Sequence, residues 1–494
     1  TEYEKYFGAG IPKKHGFMSQ TADPILDETS RLYAVRVVNG ALHAGCFFTV
    51  DDPNAPDPII RLTNFDDGSN TPKGKLDPNA EIPFGPTDLG STLILGAFYT
   101  SNPGAWNNEL SIRVRPSNPQ GVALRGNGHN STHFWVEVFE NYQGGRFEEP
   151  SEKFLVARHD ETTEDGSQMF IEDVINKGSN LIRYKNNPHC AEFEIVKDAQ
   201  EQLDGGSDGI MPTTAQFVNA WELFENADQY DVNILVNNGL THHDIQRKIH
   251  EVAMSRGDAF AVLDMPSDKQ ATADAIAYKI NTLNIDSSYA GIYSSDVLVT
   301  DAKTGKQMYV PVSGYVAGAM ALTDNDRGVW FAPAGIERGR LRVEGLRQHY
   351  NQGHRDALSE AQVNVIRNIP GQGRVIWDQQ TTQRKASHLQ WVNVRRLVNF
   401  VLKSTSVTAQ YSLFDPNDTF LRSQIRSQIE DFLEPIRINR GLYGYKVVCD
   451  ETNNTPESIA NGDLIVDMYM DPVIATKRVH VVFNINPTGS RATL

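Results

Sequence analysis

The chain has 494 residues and a mass of 55.0 kDa, which is too long for one hydrophobic core and predicts about three domains. Its 62 acidic residues exceed its 46 Lys and Arg residues, and the formal net charge of −16 argues against binding to nucleic acid or to an anionic lipid surface. No stretch approaches the roughly 18 uninterrupted apolar residues that a membrane span requires, so we predict no membrane insertion.

The N-terminal region, residues 1–92, is rich in turn-forming residues. Asp, Asn and Pro cluster at 51–58, and short runs of strand composition occur at 32–38 and 47–50. We therefore predict a loop-rich β module. Because the chain begins at Thr1 without an initiator Met or an apolar leader, we also expect that its N-terminus is truncated.

Residues 93–338 are predicted to form a central domain. Its first part contains three runs of strand composition, at 93–99, 110–114 and 134–139, and the second of these alternates between apolar and polar residues. We expect these three runs to lie in one sheet.

Between residues 232 and 310 the pattern alternates between strand and helix. Apolar runs typical of buried strands are separated by segments in which apolar residues recur at helical spacing. The strands are predicted at 232–236, 259–263 and 289–293, and the helices at 241–256 and 267–283. Such a βαβαβ order predicts a parallel sheet, and the turn-forming residues 301–305 predict a hairpin after it.

The last region, residues 339–494, is predicted to be a C-terminal α+β domain. One helix is expected to begin after Ser387, and Asp415 and Pro416 are expected to begin a second one as N-cap and first helical residue. Strands are predicted at 443–449, 464–470 and 479–484. The chain is therefore predicted to be a mixed α+β and α/β multidomain protein, with a β-rich N-terminal module, a central domain that contains the βαβαβ unit, and this last domain.

Polar residues follow each strand of the βαβαβ unit, where open α/β sheets hold their active sites. Asn237, Asp264 and Ser294 are expected at the carboxyl ends of adjacent strands, which gives one enzyme hypothesis, an α/β hydrolase. The turn after the first strand has one glycine where a dinucleotide fingerprint needs three. An ordinary strand exit and helix cap explains Asp264 equally well, so the sequence favours no catalytic residue and no cofactor.

Other motifs have structural explanations. Residues 205–209 match the G-x-S-x-G pattern of a hydrolase nucleophile, but the polar segment before them does not resemble a strand, so we predict a glycine-rich turn. His243 and His250 are further apart than the pair that shares one zinc ion, and we interpret them as surface residues.

Gly314 and Gly318 have the spacing of a helix-contact motif, which predicts close packing. The three cysteines lie far apart, which favours neither a disulfide framework nor a metal site.

A further set of segments is informative through its order along the chain. The segments are 102–108 (NPGAWNN), 205–209 (GGSDG), 310–318 (VPVSGYVAG), 323–333 (TDNDRGVWFAP), 374–378 (RVIWD), 413–418 (LFDPND), 441–445 (GLYGY) and 448–453 (VCDETN). Together they resemble the tail sheath protein of contractile-tailed bacteriophages. The resemblance is strongest after Val310 and weak before Leu93, where sheath proteins carry variable outward-facing domains.

The resemblance implies a structural protein that assembles with copies of itself and is not an enzyme. Subunits of the family form hexameric rings stacked helically around a tail tube, and they contract to drive the tube through the host envelope for genome delivery. Baseplate and tail terminator proteins are implied as further partners, and the implied location is the virion, after assembly in the host bacterial cytoplasm. Residues 339–494 would then face the tube and carry contacts between subunits, with residues 1–92 on the outside.

Two sets of residues are candidate contacts in such an assembly. Val479, Val481 and Phe483 alternate along a β-rich segment near the C-terminus, and they are candidates for a strand that pairs with a neighbouring subunit. An internal strand of the last domain fits them equally well. Arg395 and Arg396 are expected on the exposed side of the first C-terminal helix, where they could bind a negatively charged tube or form local salt bridges on a solvated face.

Overall fold

The computed structural model describes residues 16–51, 59–64, 92–116, 133–140, 149–158, 168–187, 198–301 and 305–477. The chain forms two compact units. One is residues 37–213, and the other combines the described residues before Val37, which include helix α1 (Met18–Leu26), with those after Thr213. Each unit has its own hydrophobic core. In the described ranges, no helix is both long enough and apolar enough to cross a membrane.

Residues 37–213 form two four-stranded antiparallel sheets. The elements are β1 (Gly45–Asp51), β2 (Ile59–Asn64), β3 (Thr92–Thr100), β4 (Leu110–Pro116), β5 (His133–Glu140), β6 (Glu152–Ala157), α2 (Ile171–Gly178), β7 (Ile182–Asn186) and β8 (Ala199–Gln202). The sheet orders are β2-β1-β3-β7 and β6-β5-β4-β8. Apolar residues of both sheets share one core, in which the ring centres of Phe48 and Phe134 lie 6.1 Å apart.

The prediction of a single sheet for the strands of this region is wrong. β3 lies in the first sheet, whereas β4 and β5 lie in the second. The chain passes from one sheet to the other through a short 3-10 helix, Ala105–Glu109, which directly precedes β4. In addition, β1 pairs with β3 along its whole length, so the predicted domain boundary after residue 92 falls between strands of one sheet. The structure divides the chain at residues 36/37 and 213/214 instead.

The segment 205–209 is a glycine-rich turn, as the sequence predicted. Gly205 and Gly209 have φ values of 82° and 73°, in the left-handed region that favours glycine. A Cβ atom on Gly209 would lie 2.3 Å from the carbonyl oxygen of Asn39. The turn lies beside the segment that contains Asn39, to which Ile210 is paired by an antiparallel bridge, so its glycines allow two backbones to approach closely.

The second unit is built around a six-stranded sheet. Its strands are β9 (Ile234–Val236), β10 (Phe260–Asp264), β11 (Ala290–Ser294), β14 (Arg340–Leu341), β16 (Val363–Ile369) and β17 (Gly373–Ile376), in the order β14-β17-β16-β11-β10-β9. The four neighbouring strands β9, β10, β11 and β16 run parallel to one another. β17 is antiparallel to β16, and β14 is antiparallel to β17. The predicted βαβαβ unit is thus confirmed. The predicted hairpin is also present, as the antiparallel pair β12 (Val297–Thr300) and β13 (Gln307–Val310), and β12 also pairs with β15 (Gly345–Leu346).

Helices flank this sheet. They are α3 (Thr214–Glu222), α4 (His243–Arg256), α5 (Thr272–Ala277), α6 (Ser313–Asp326), α7 (Gly335–Arg338) and α8 (Gln352–Glu360). The single helix predicted at 267–283 is divided into a 3-10 turn, α5 and a π-helical turn. The division comes at Gln270, whose side chain donates a hydrogen bond to Asp296 and whose carbonyl oxygen accepts one from the Tyr350 hydroxyl. Tertiary hydrogen bonds therefore override the helical pattern there.

The C-terminal part packs two long helices against a two-stranded sheet. The elements are α9 (Val392–Gln410), α10 (Thr419–Ile438), β18 (Leu442–Val448), α11 (Pro456–Ala460) and β19 (Asp467–Pro472). The apolar residues of α10 that recur every four positions from Leu421 to Leu433 are buried in one core with Leu397 and Val401 of α9. The N-cap of α10 is Asp418, not Asp415 as predicted, because the Asp418 carboxylate accepts the backbone N–H of Leu421 at 2.8 Å.

Helix α1 packs directly on helix α6 through the two glycines singled out in the sequence. A Cβ atom on Gly314 would lie 2.3 Å from the carbonyl oxygen of Thr21, and one on Gly318 would lie 2.3 Å from that of Pro24. No real Cβ atom approaches an oxygen so closely. The predicted close packing is therefore confirmed, and α1 contacts a helix almost 300 residues further along the chain.

We expect Gly318→Ala to destabilise the protein by about 1–3 kcal/mol, because the added methyl group must push α1 away from α6. Thermal unfolding of the purified protein measures this effect. Gly353→Ala is the matched control, since the nearest atom to its added Cβ is 3.7 Å away and belongs to the Asn351 side chain. The control should leave stability unchanged or slightly raised. Equal effects of the two substitutions would contradict the packing argument.

Candidate functional site

The three residues of the enzyme hypothesis lie at the carboxyl edge of the parallel sheet. Asn237 follows β9, and Asp264 and Ser294 are the last residues of β10 and β11. The three side chains are almost completely buried, with exposed fractions of 0%, 2% and 0%. The predicted position at this edge is confirmed, and the hydrogen bonds made there decide what the residues can do.

Asp264 is a structural cap for helix α6. Its carboxylate accepts the backbone N–H and the hydroxyl of Ser313 at 2.7 and 2.6 Å, and the backbone N–H of Gly239 at 3.0 Å. The backbone N–H of Asp264 in turn donates to the Asn237 side chain at 3.0 Å. Burial raises the pKa of Asp264 to about 6, although the hydrogen bonds from Ser313 and Gly239 oppose the shift. The carboxylate is thus occupied by internal donors.

Among the described residues, Ser294 lacks the partner that a nucleophilic serine requires. Its hydroxyl lies 2.7 Å from the Tyr350 hydroxyl, which donates its own proton to the Gln270 carbonyl oxygen at 2.6 Å. Ser294 therefore donates to a phenol oxygen and is not activated by an imidazole or a carboxylate. This arrangement does not support the hydrolase hypothesis.

Helix α1 also occupies the same edge of the sheet. The hydroxyl of Thr21 donates to the Asn238 side chain at 2.8 Å. A Cβ atom on Gly239 would lie 2.5 Å from the Pro311 ring and 3.2 Å from the Phe17 ring. The place where an open α/β sheet would bind a small molecule is thus packed with residues of the chain itself.

The histidines of α4 differ in their surroundings. His242 and His243 are partly exposed and stack on each other, and both lie near Asp244, with nitrogen-to-oxygen distances of 3.6 and 3.3 Å. One potential ligand atom from each of these three residues lies within 4.8 Å of the others. His250 was interpreted as a surface residue, but it is half-buried, its Nε2 atom has no hydrogen-bond partner in the part of the chain that the structure describes, and burial lowers its pKa.

The predicted exposure of Arg395 and Arg396 is wrong. Their exposed fractions are 5% and 3%. Arg396 donates two hydrogen bonds to the Asp324 carboxylate, at 3.0 and 2.5 Å, and the Arg395 guanidinium lies 4.2 Å from the centre of the Tyr289 ring. The polar side of α9 is covered because it faces the central sheet region, not solvent. These arginines therefore stabilise the subunit internally.

The other predicted contact, the strand of Val479, Val481 and Phe483, lies outside the described residues. The sheet before it has two strands, β18 and β19, and among the described residues neither pairs with a further strand. Each strand therefore has one edge that no described segment covers.

The turn between α9 and α10 carries an exposed apolar surface that the sequence interpretation missed. We call residues 411–420 the aromatic turn. Its large apolar side chains are mostly exposed: Tyr411 at 85%, Leu413 at 62%, Phe414 at 104% and Phe420 at 75%. Four such side chains within ten residues, outside the helical apolar pattern, were the available signal in the sequence. Contiguous exposed apolar residues mark an interaction surface.

We expect Asp264→Asn to be most damaging at low pH. The folded-state pKa of about 6 is above the ordinary value of 3.8, so the carboxyl group's contribution is fully present below pH 3.8 and is lost as the pH rises through 6. The penalty of the substitution should therefore decrease by about 2 kcal/mol between pH 4 and pH 7. Free energies of unfolding measured in urea at pH 4, 5, 6 and 7 test this, and a penalty that does not change with pH would contradict it.

Two known protein-family domains match most of the second unit. The phage tail sheath protein central domain matches residues 212–382, and the phage tail sheath C-terminal domain matches residues 385–486. Together these two matches cover more than half of the chain, and the junction between them lies near residue 384, not at the predicted 338/339. The first match begins within two residues of the start of the second unit at Thr214.

Individual tail sheath proteins are also similar to this chain in sequence. The tail sheath protein of Enterobacteria phage T4 is 27% identical over 347 residues, which cover 66% of this chain and 52% of that protein. The tail sheath protein of Vibrio phage KVP40 is 35% identical over 208 residues, or 42% of this chain and 30% of that protein. The chain thus spans about half or less of the length of these relatives.

A solved structure extends the similarity to the fold. The crystal structure of a sheath tail protein from Listeria innocua superposes with a TM-score of 0.51 and 12% identity, over 78% of this chain and 81% of that one. At this level of identity the superposition supports the mixed α/β fold with several sheets. Taken with the two domain matches and the sheath relatives, the conclusion is that the chain belongs to the phage tail sheath family.

Proposed function

We propose that the chain is the subunit of a contractile tail sheath, which polymerises as hexameric rings stacked helically around a tail tube. The observation that carries the proposal is the match of both sheath domains, in order, to the residues of the second unit. Contraction would drive the tube through the envelope of the bacterial host and deliver the genome. The subunit would act in the virion after assembly in the host cytoplasm, with the tail tube, baseplate and tail terminator proteins as partners.

Such a subunit needs no catalytic site. Contraction without a fuel molecule requires an extended lattice that is metastable relative to the contracted one and is released by a trigger. The filled carboxyl edge of the sheet agrees with this proposal, because Asp264 and Ser294 are both committed to internal hydrogen bonds. The energy of contraction would then come from contacts between subunits.

The two units would have different positions in the sheath. We place residues 37–213 on the outside, because the sheath domains match the chain only from residue 212 onward. This revises the predicted outer domain from residues 1–92 to a whole unit with its own core. The C-terminal domain, residues 385–486, would face the tube and carry contacts between subunits.

The edges of β18 and β19 that no described segment covers support a strand exchange between subunits. A segment that includes Val479, Val481 and Phe483 would add a strand to the two-stranded sheet of a neighbour, since main-chain hydrogen bonds are available there. Such a connection would keep subunits linked while their domains move.

Electron microscopy of the concentrated protein, with and without a purified tail tube protein, tests the proposed function. Rings or helical tubes of uniform diameter are expected, and the tube protein should favour an extended form. A protein that stays monomeric at all concentrations, with and without the tube protein, would contradict the proposal.

We expect that residues 37–213 can be deleted without loss of polymerisation. Asn39 and Ile210 are paired by a backbone bridge, so the two ends of the unit lie side by side and a short glycine linker can replace it. The remaining unit keeps its own cores and should fold and polymerise into thinner tubes. Sedimentation and microscopy measure the outcome, with circular dichroism as the folding control. A folded deletion variant that fails to polymerise would show that the outer assignment is wrong.

A further inference from the structure

The aromatic turn has the features of an inserting segment. Phe414 is fully exposed, and its φ of 72° is in the left-handed region, which is unusual for an aromatic residue. The next residue, Asp415, is also exposed, and its carboxylate forms no ion pair with any described residue. The turn therefore presents an aromatic ring and a free carboxylate side by side.

A cleft of about 440 Å³ has the complementary chemistry. We call it the arginine cleft. It is lined by three arginines, two acidic residues and three further residues: Arg327, Arg338, Arg440, Asp326, Glu337, Phe331, Ile438 and Asn439. Phe331 and Ile438 give it apolar surface, and the Arg338 guanidinium lies 5.3 Å from the centre of the Phe331 ring. The cleft thus combines apolar walls with positive charge.

The charges of the cleft are only partly neutralised from within. Arg338 and Arg327 share one carboxylate, that of Glu337, at 3.1 and 3.5 Å. Arg440 forms no ion pair with any residue that the structure describes. A carboxylate that enters the cleft would accept hydrogen bonds from the Arg440 guanidinium. An aromatic ring beside that carboxylate would contact Phe331 and Ile438.

The two features lie at opposite ends of helix α10. The aromatic turn ends at Phe420, in the first turn of α10, and the cleft includes Ile438 at the other end, so about 18 residues of helix lie between them, or about 27 Å along the axis. They cannot meet within one chain. A contact between different surfaces of two identical subunits is heterologous, and it repeats from one copy to the next.

We propose that the aromatic turn of one subunit inserts into the arginine cleft of a second copy, with Phe414 against Phe331 and Ile438 and with Asp415 paired to Arg440. The occupant is a second copy because the turn presents an exposed ring and a carboxylate that forms no ion pair with a described residue, and the cleft presents apolar surface beside the guanidinium of Arg440. This inference rests on the proposed function and identifies one of the contacts through which the polymer grows. The tail tube is the other occupant that an exposed aromatic turn could have, and the test distinguishes it.

The first experiment measures the critical concentration for polymerisation of the full-length protein. Phe414→Ala, Asp415→Arg and Arg440→Asp should each raise it at least tenfold, because each removes a central contact of the interface. The double variant Asp415→Arg with Arg440→Asp should return it to within threefold of the original value. Met254→Ala and Asp274→Arg alter exposed residues elsewhere in the unit and should have no effect. Circular dichroism and thermal unfolding identify any variant that does not fold.

The second experiment does not depend on polymer formation. Leu413→Cys and Ile438→Cys are made in separate copies, which keeps Phe414, Asp415 and Arg440 intact, and the two proteins are mixed under oxidising conditions. A disulfide-linked dimer that contains one of each variant is expected, whereas the original protein should form none. A crosslink without any polymer would support the inference and contradict the proposed function.

Three outcomes would overturn the inference. One is polymerisation that is unchanged by all three single substitutions, and another is failure of the double variant to recover although it folds. The third is the absence of the mixed disulfide while polymers form normally. If Phe414→Ala polymerises normally but no longer binds tail tube protein, the turn belongs to the tube contact and the cleft does not receive it.

Discussion

The polar side of helix α9 is the contact on which the second unit depends. It joins the C-terminal sheath domain to the central one through two buried side chains, Arg396 and Asn399, and one partly exposed side chain, Lys403. The contacts are Arg396 with Asp324, Asn399 with the Ala259 carbonyl, and Lys403 with Asp258. Removing one member of a buried ion pair typically costs about 3–5 kcal/mol. These contacts therefore hold the two separately matched domains together within the second unit, which agrees with the proposed role as a sheath subunit.

The same unit shows how polar residues at the carboxyl edge of a parallel sheet can be used for internal packing. Its parallel sheet brings polar side chains to the carboxyl edge, as such sheets do. Here the edge is used for construction: Asp264 caps α6, and α1 packs over the loop after β9. The residues that would bind a substrate elsewhere bind other parts of the chain.

The sequence predicted the features that depend on local periodicity. The βαβαβ order and the four-residue apolar spacing of α10 follow from patterns of neighbouring residues, and both were confirmed. The glycine pair of α6 was assigned to close packing from its four-residue spacing, and the close approach of α1 confirms this.

Features set by distant partners could not be predicted in this way. Arg395 and Arg396 alternate with apolar residues as solvent-exposed residues would, and only the tertiary structure brings Tyr289 and Asp324 to them. The division of β3 and β4 between two sheets depends on the short turn between them, which carries no sequence signal of direction. The exposed aromatic turn was missed because apolar residues are expected inside a protein, and burial is not visible in composition.

The pairing of α1 with α6 sets an order of events during synthesis. Helix α1 leaves the ribosome first, but Gly314 and Gly318, its partners, are translated about 290 residues later. At roughly 5–20 residues per second this interval is about 15–60 seconds. The unit of residues 37–213 has its own core and can fold completely within that time. The buried face of α1, which includes Gln20, Thr21, Ala22 and Ile25, therefore has no partner helix until α6 has been made.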